Sequence, residues 1–219
     1  MASARRSPAG QARIANGAPF LFVGKRLWLE FVNSDDAASA RGGTHRDALD
    51  SFDGFVSWLS TAGILDGERA DSLVRRAQQQ PTGSSAALHE ARRLRSVLRA
   101  LAERGDGANE RATQTAITEI NRILGRSTGT RRVEPRADGG FVRSFVTAGD
   151  VFSGLMIPVI ESAADGLVSG ELRRTRKCAD PRCGRVFFDG SRNGKRRWCD
   201  MKTCGNRAKA ARHRRKQSE

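Results

Sequence analysis

Hydrophobic positions in this chain fall into blocks whose spacing changes along its length. In FLFVGKRLWLEFVN, Phe20 to Asn33, Leu27, Leu29 and Phe31 alternate with Trp28, Glu30 and Val32, and Gly24 interrupts the run before them. A period of two predicts a strand. A polar loop, SDDAASARGGTHRD, follows over 34–47. From Asp50 to Ala62 the period lengthens: Phe52, Phe55, Val56 and Leu59 recur at helical spacing, and Gly63 is placed for a C-terminal cap. Asp66 to Gln79 predicts a second helix with Ala70, Leu73, Val74 and Ala77 on its apolar face.

Pro81-Thr82-Gly83-Ser84 reads as a loop ending in a capping serine. The helix after it, to about Arg104, carries Ala87, Ala91, Leu94, Leu98 and Leu101 on one stripe, with Arg92, Arg93, Arg95 and Arg99 mostly off it. That stripe suits an intramolecular core or a dimer seam. A partner helix from about Ala108 to Leu124 uses Ala112, Ala116, Ile117, Ile120 and Leu124, and Gly125 is expected to end it. Arg131 to Phe145 predicts a hairpin turning at Asp138-Gly139-Gly140. Asp150 to Val168 predicts a last helix that Pro158 kinks or starts.

With 219 residues the chain has room for one medium core and a small appended module. No apolar run approaches the ~20 residues of a membrane span. The first sixteen residues have a positive start without a following apolar stretch, so they read as a flexible tail and not a signal peptide. Charge then divides the remainder. Residues 171–219 contain 17 Lys/Arg against 5 Asp/Glu, a net of +12 out of +15 for the whole chain. The expected organisation is a tail over 1–16, a domain over 17–170, and a strongly basic module over 171–219 with its boundary near Ser169-Gly170. A polybasic surface on a fixed scaffold is what counterion release from nucleic acid requires.

All four cysteines lie in that module, as Cys178-x4-Cys183, fifteen intervening residues, and Cys199-x4-Cys204. Two matched pairs across a hairpin-sized spacer suit a four-thiolate Zn²⁺ site, one ion per chain. Two disulfides are the rival, disfavoured by the missing secretory segment and by a reducing cytoplasmic setting. Arg185-Val186-Phe187-Phe188 and Lys195-Arg196-Arg197-Trp198 flank a turn over 189–194 and predict a two-stranded hairpin between the pairs. Phe187, Phe188 and Trp198 suit a miniature core over the metal, or base stacking if exposed.

Beyond Cys204 the sequence GNRAKAARHRRKQ is a good helix former, with Gly205 permitting close approach at the metal. Asn206 and Arg207 at its start suit base-edge contacts, or alternatively cap the zinc loop through backbone or thiolate. Arg212, Arg214, Arg215 and Lys216 suit phosphate contacts. His213 reads as a phosphate or surface contact, because four thiolates already complete a tetrahedron. Arg196, Arg197 and Lys209 complete the candidate nucleic-acid set. No Ser/His/Asp ordering, glycine-rich phosphate loop or HExxH occurs, so catalysis has no visible support.

The tail RRWCDMKTCGNRAKAARHRRK, Arg196 to Lys216, resembles the CGNR-type zinc finger, named for Cys204-Gly205-Asn206-Arg207. KCADPRCGRVFFD, Lys177 to Asp189, is similar to its first half, and LWLEFVNS, Leu27 to Ser34, to the opening of the ABATE domain that precedes such fingers. Glu30 and Asp200 depart from the family pattern. The resemblance implies a stress-related bacterial transcription regulator, with Cys178, Cys183, Cys199 and Cys204 as zinc ligands and Asn206, Arg207 and Lys209 in the motif's tail. The fold class expected is α+β: a mostly helical N-terminal domain with a small sheet, then a treble-clef- or ribbon-like finger of hairpin plus basic helix. The expected partner is duplex DNA, with a nucleoid-associated protein that is no membrane component, forms a homodimer or senses a small molecule of unknown type. An RNA- or ribosome-associated factor is the alternative, and an enzyme in residues 20–170 with a docking finger is the least supported.

Overall fold

The computed structural model describes residues 20, 22–35, 47–104, 110–135 and 139–217. The 1–16 tail, most of the 34–47 loop, Ala108 and Asp138 lie outside the described residues. The elements in chain order are α1 Leu27–Val32, α2 Phe52–Thr61, α3 Gly67–Gln79, α4 Pro81–Arg104, α5 Glu110–Arg126, β1 Gly129–Pro135, β2 Phe141–Thr147, α6 Ile157–Val168, β3 Thr175–Lys177, β4 Val186–Phe188 and α7 Asn206–Gln217. β1 and β2 form one antiparallel ribbon, β3 and β4 another. The chain is therefore α+β: a mostly helical N-terminal region with a small sheet, and a C-terminal cysteine cluster on hairpin and helix.

Leu27–Val32 is a helix, where alternation predicted a strand. The alternation misled because both alternating sets are apolar apart from Glu30. Trp28, Leu29, Phe31 and Val32 are all buried, so α1 is a short helix surrounded by core and has no polar face to display a period. The start of α4 also differs from expectation. The helix begins at Pro81, whose missing N–H costs nothing in a first turn. Ser84 does not cap it, and its hydroxyl donates to the Pro81 carbonyl at 3.1 Å. Gly125 lies inside α5 rather than after it. α6 starts only at Ile157, with Pro158 in its first turn and irregular turns over 151–156.

The other helices follow their stripes, except that in α5 Ile117 of the expected set is exposed and Ile123, outside it, is buried in its place. Ser51 and Asp66 accept from the Gly54 and Arg69 N–H groups as N-caps of α2 and α3. Ala91, Leu94 and Leu98 are fully buried and Leu101 nearly so, against Ala116, Ile120 and Ile123 of α5. The α4 stripe thus builds the intramolecular core. Its off-stripe arginines pin loops. Arg95 makes a bidentate pair with Asp47, both contacts 2.5 Å, and Arg92 donates to the Leu49 and Asp50 carbonyls. Burial opposes ionisation of Asp47, yet the Arg95 hydrogen bonds hold its carboxyl below the ordinary range.

Candidate metal centre and basic helix

The hairpin of the C-terminal module is not the one the spacing predicted. β4 pairs with β3, which precedes the first cysteine, in the register Thr175↔Phe188, Arg176↔Phe187 and Lys177↔Val186. Residues 195–198 form no strand. β3 escaped notice because it has three residues, two of them basic, and no apolar period. Cys178 and Cys183 therefore sit in the connection between β3 and β4. The knuckle closes through Cys178 N–H to the Arg185 carbonyl at 2.9 Å and Cys183 N–H to the Asp180 carbonyl at 2.8 Å. Of the second pair, Cys199 precedes and Cys204 lies within a single π-turn, Met201–Gly205, that runs directly into α7. Asp200 caps this turn, accepting from Lys202 N–H and from the Thr203 hydroxyl, both at 2.9 Å. A Cβ on Gly205 would stand 2.6 Å from the Met201 sulfur and 3.3 Å from the Trp198 ring, so the tight approach here is to those side chains.

All four cysteines are buried and their sulfurs lie within 4.8 Å of one another. Cys183 and Cys199 sulfurs are 3.6 Å apart, Cys199 and Cys204 3.7 Å. A disulfide needs about 2.05 Å. Tetrahedral zinc with Zn–S bonds of about 2.3 Å puts sulfurs roughly 3.8 Å apart, so the cluster has the size of a zinc site. The electrostatics agree. Hydrogen bonding from Cys183 holds the Cys178 thiol far below the ordinary thiol range, while the contact with Cys178 pushes Cys183 up to about 11 and Cys199 higher still. Four crowded thiols cannot all ionise unaided; a dication at their centre lets them. Cys178, Cys183, Cys199 and Cys204 are clustered as one Zn²⁺ requires.

Around the sulfurs stands a set of side chains that sequence reasoning mostly missed. Asp180, 5% exposed, accepts from Arg207 Nε at 2.7 Å, and the same guanidinium donates to the Cys204 sulfur at 3.2 Å. Arg207 thus offsets thiolate charge and ties α7 to the knuckle. Asp189, fully buried, accepts from Ser191 N–H and hydroxyl and from Arg196 N–H. Burial opposes its ionisation, but these donors hold its carboxyl below the ordinary range. Asp180 and Asp189 were legible only as single acids in basic surroundings, and that was the available signal.

The candidate nucleic-acid residues divide into two groups. Asn206 donates to the Lys202 carbonyl at 3.0 Å, and Arg196 donates to the carbonyls of Trp198 and Cys199 with its guanidinium 4.7 Å over the Phe187 ring. With Arg207, these three side chains make hydrogen bonds within the module, Asn206 while remaining exposed. Arg197, Lys209, Arg212, His213, Arg214, Arg215 and Lys216 are exposed. α7 buries none of its residues and carries six Lys/Arg and no acid in NRAKAARHRRKQ. Phe187 packs on the cysteine cluster, whereas Phe188 turns toward the helical body.

The module is seated on α1. Asn33 grips the β4 backbone twice, donating to the Val186 carbonyl at 2.8 Å and accepting its N–H at 2.9 Å. Phe188 N–H donates to the Gly24 carbonyl at 2.9 Å, and Arg26 pairs with Glu171 while lying 4.1 Å over the Phe188 ring. Val186 belongs to the body's core, and Val23 packs against the cysteine cluster. Arg99 joins Val32, Asp35 and Gly184 through its guanidinium. Glu30 accepts from Val23 and Lys25 N–H groups, yet burial pushes its carboxyl up to about 7.

Residues 25–170 match the ABATE family, described as "Putative stress-induced transcription regulator", and residues 174–217 match the CGNR zinc finger. This chain belongs to the ABATE family. No curated protein matches it. Neither family is described as an enzyme. Among the described residues, no helix of this ABATE–CGNR chain is long and apolar enough to cross a membrane.

Proposed function

We propose that this protein is a zinc-dependent, non-enzymatic transcription regulator of the nucleoid, whose finger binds duplex DNA. Residues up to about 170 serve as its regulatory unit and 171–219 as its DNA-binding unit. One observation carries the reading. α7 buries no residue and carries six cations and no acid of its own; Asp180 pairs with Arg207 at its start, while like-charge repulsion at i,i+3 and i,i+4 remains among the cations beyond it. A polyanion removes that repulsion and releases counterions on binding. Arg197, Lys209, Arg212, His213, Arg214, Arg215 and Lys216 contact phosphates. Arg196, Asn206 and Arg207 at the metal end set the pose of the helix on the duplex.

Salt-dependent binding tests this. Neutralising on the order of five phosphates gives a slope of log affinity on log salt near −4 to −5. Arg214→Ala with Arg215→Ala flattens it by about two units on every sequence alike. Arg207→Ala lowers zinc affinity roughly 10–100-fold and duplex affinity with it. Unchanged duplex affinity in all these zinc-loaded variants removes the DNA reading. The second reading, an RNA- or ribosome-associated factor, draws on Trp198. Its ring is half-buried with the Arg197 guanidinium 5.1 Å from the centroid, a platform suited to an unpaired base. Competition among duplex DNA, single-stranded DNA and structured RNA separates the two.

A further inference from the structure

Far along the chain from the finger, α3 leans over β2 and the turns of 151–156 and leaves an open cavity of about 260 Å³. Its floor is apolar: Leu73, Phe145 and Leu155 are each 7–8% exposed. The walls are fixed by close packing. A Cβ on Gly154 would meet the Thr147 methyl at 2.1 Å and the Phe145 ring at 2.9 Å, so the 151–156 turn cannot slide inward to close the space.

Arg69 and Arg76 line its mouth, and among the described lining residues there is no carboxylate, Glu134 reaching Arg69 from outside the lining. The two arginines stand a heptad apart on α3, hence on one face and about 10 Å apart along the helix. Arg69 makes one long contact, 3.7 Å, with Glu134, which leaves most of its donors available. The Arg76 side chain is exposed and has no ion pair among the described residues. The volume lies just under the roughly 300–1,000 Å³ of pockets for drug-sized ligands, so the occupant is smaller than those. An apolar floor excludes a sugar or a bare phosphate. Guanidinium groups at the mouth favour a carboxylate, which they can bind in a fork.

We propose that this cavity is a binding site for a small amphipathic carboxylate. The apolar part lies against Leu73, Phe145 and Leu155, and the carboxylate pairs with Arg76 at the mouth, Arg69 standing by. The proposal does not rest on DNA binding, and its test contains no nucleic acid. Zinc-loaded full-length protein is titrated calorimetrically with naphthalene-2-carboxylate and with its neutral isostere naphthalene-2-carboxamide. The expected result is one saturable site per chain that prefers the carboxylate by about tenfold, the order expected of a charge-assisted hydrogen bond. Arg76→Gln, an exposed substitution, erases that preference and leaves amide binding unchanged. Val151→Trp, at a half-buried wall position, fills the cavity and abolishes binding of both probes. Equal affinity for the two probes, no saturable binding of either, or an unaltered preference in Arg76→Gln overturns the proposal. Should Val151→Trp fail to fold, Arg76→Gln and the probe pair still decide it.

Discussion

The helical body and the finger reach stability by opposite means. The body buries a continuous apolar cluster running from Trp28 to Ala163, including Leu94 and Leu98 at zero exposure. The finger's own interior is four cysteines and Phe187, with Val23 and Trp198 packed beside it. So little apolar mass cannot offset the entropy of ordering over forty residues, and a metal must supply the difference. The finger then completes itself on the body, giving Val186 to the body's core and taking Val23 against its cysteines. The contrast is between an apolar core that stands by area and a polar module that stands by coordination. The two meet on α1 and on the C-terminal part of α4.

Metal removal is the sharpest way to break that contrast. Protein purified without added metal should carry close to one zinc per chain, and Cys199→Ser should lower that steeply. Structural zinc in such modules is worth roughly 10–16 kcal/mol of binding free energy, nearly all of it coupled to folding. Chelation should abolish hydrogen-exchange protection over β3, β4 and α7, while α4 and α5 stay protected. Two disulfides without metal, or a body that melts together with the finger, would erase the distinction.

Next in size is the reciprocal experiment. Leu98→Ala removes a fully buried side chain from the α4 stripe and should cost about 2–5 kcal/mol of body stability, read by urea unfolding. Zinc stoichiometry in the folded variant should remain at one. The junction comes third. Asn33→Ala leaves the buried Val186 N–H and carbonyl without partners, at about 1–3 kcal/mol for each group left unsatisfied. Exchange at Val186 should accelerate with zinc retained; if it does not, the finger's seat lies elsewhere.

The smallest effect is a titration. Burial raises Glu30 from an ordinary carboxyl value near 4.5 to about 7, so the folded state holds this proton more tightly than the unfolded one. Its contribution to stability is therefore complete below about 4.5 and is lost as the pH rises through about 7. Carboxyl carbon NMR of the zinc-loaded protein should place the Glu30 midpoint near 7. A midpoint in the ordinary range would mean that the body–finger junction is wetter than its packing indicates.

How much of this was legible depended on whether a segment displays two different faces. α2, α3, α4 and α5 do, and their apolar stripes predicted them to within a few residues. α1 has no polar face, since Trp28, Leu29, Phe31 and Val32 are all enclosed, and a period of two could be drawn through it as easily as a helical one. At the finger the ligand set was legible because cysteine has few other uses at matched spacing in a basic module. Of the side chains around the sulfurs, only Asn206 and Arg207 were anticipated, as caps of the zinc loop through backbone or thiolate. Asp180 meets Arg207 across 27 residues, and Asn33 meets Val186 across 153.

The sequence by itself determined the helical stripes, the charge imbalance and the four thiolates, because each is a property of residue type and local spacing. Tertiary structure alone decided that Leu27–Val32 is a helix, that β4 pairs with β3, and that Arg196, Asn206 and Arg207 are engaged at the metal end. The reason is common to all three. A strand as short as Thr175–Lys177 and a helix as enclosed as α1 take their conformation from the groups they satisfy. Those groups come from distant parts of the chain, where no local pattern records them.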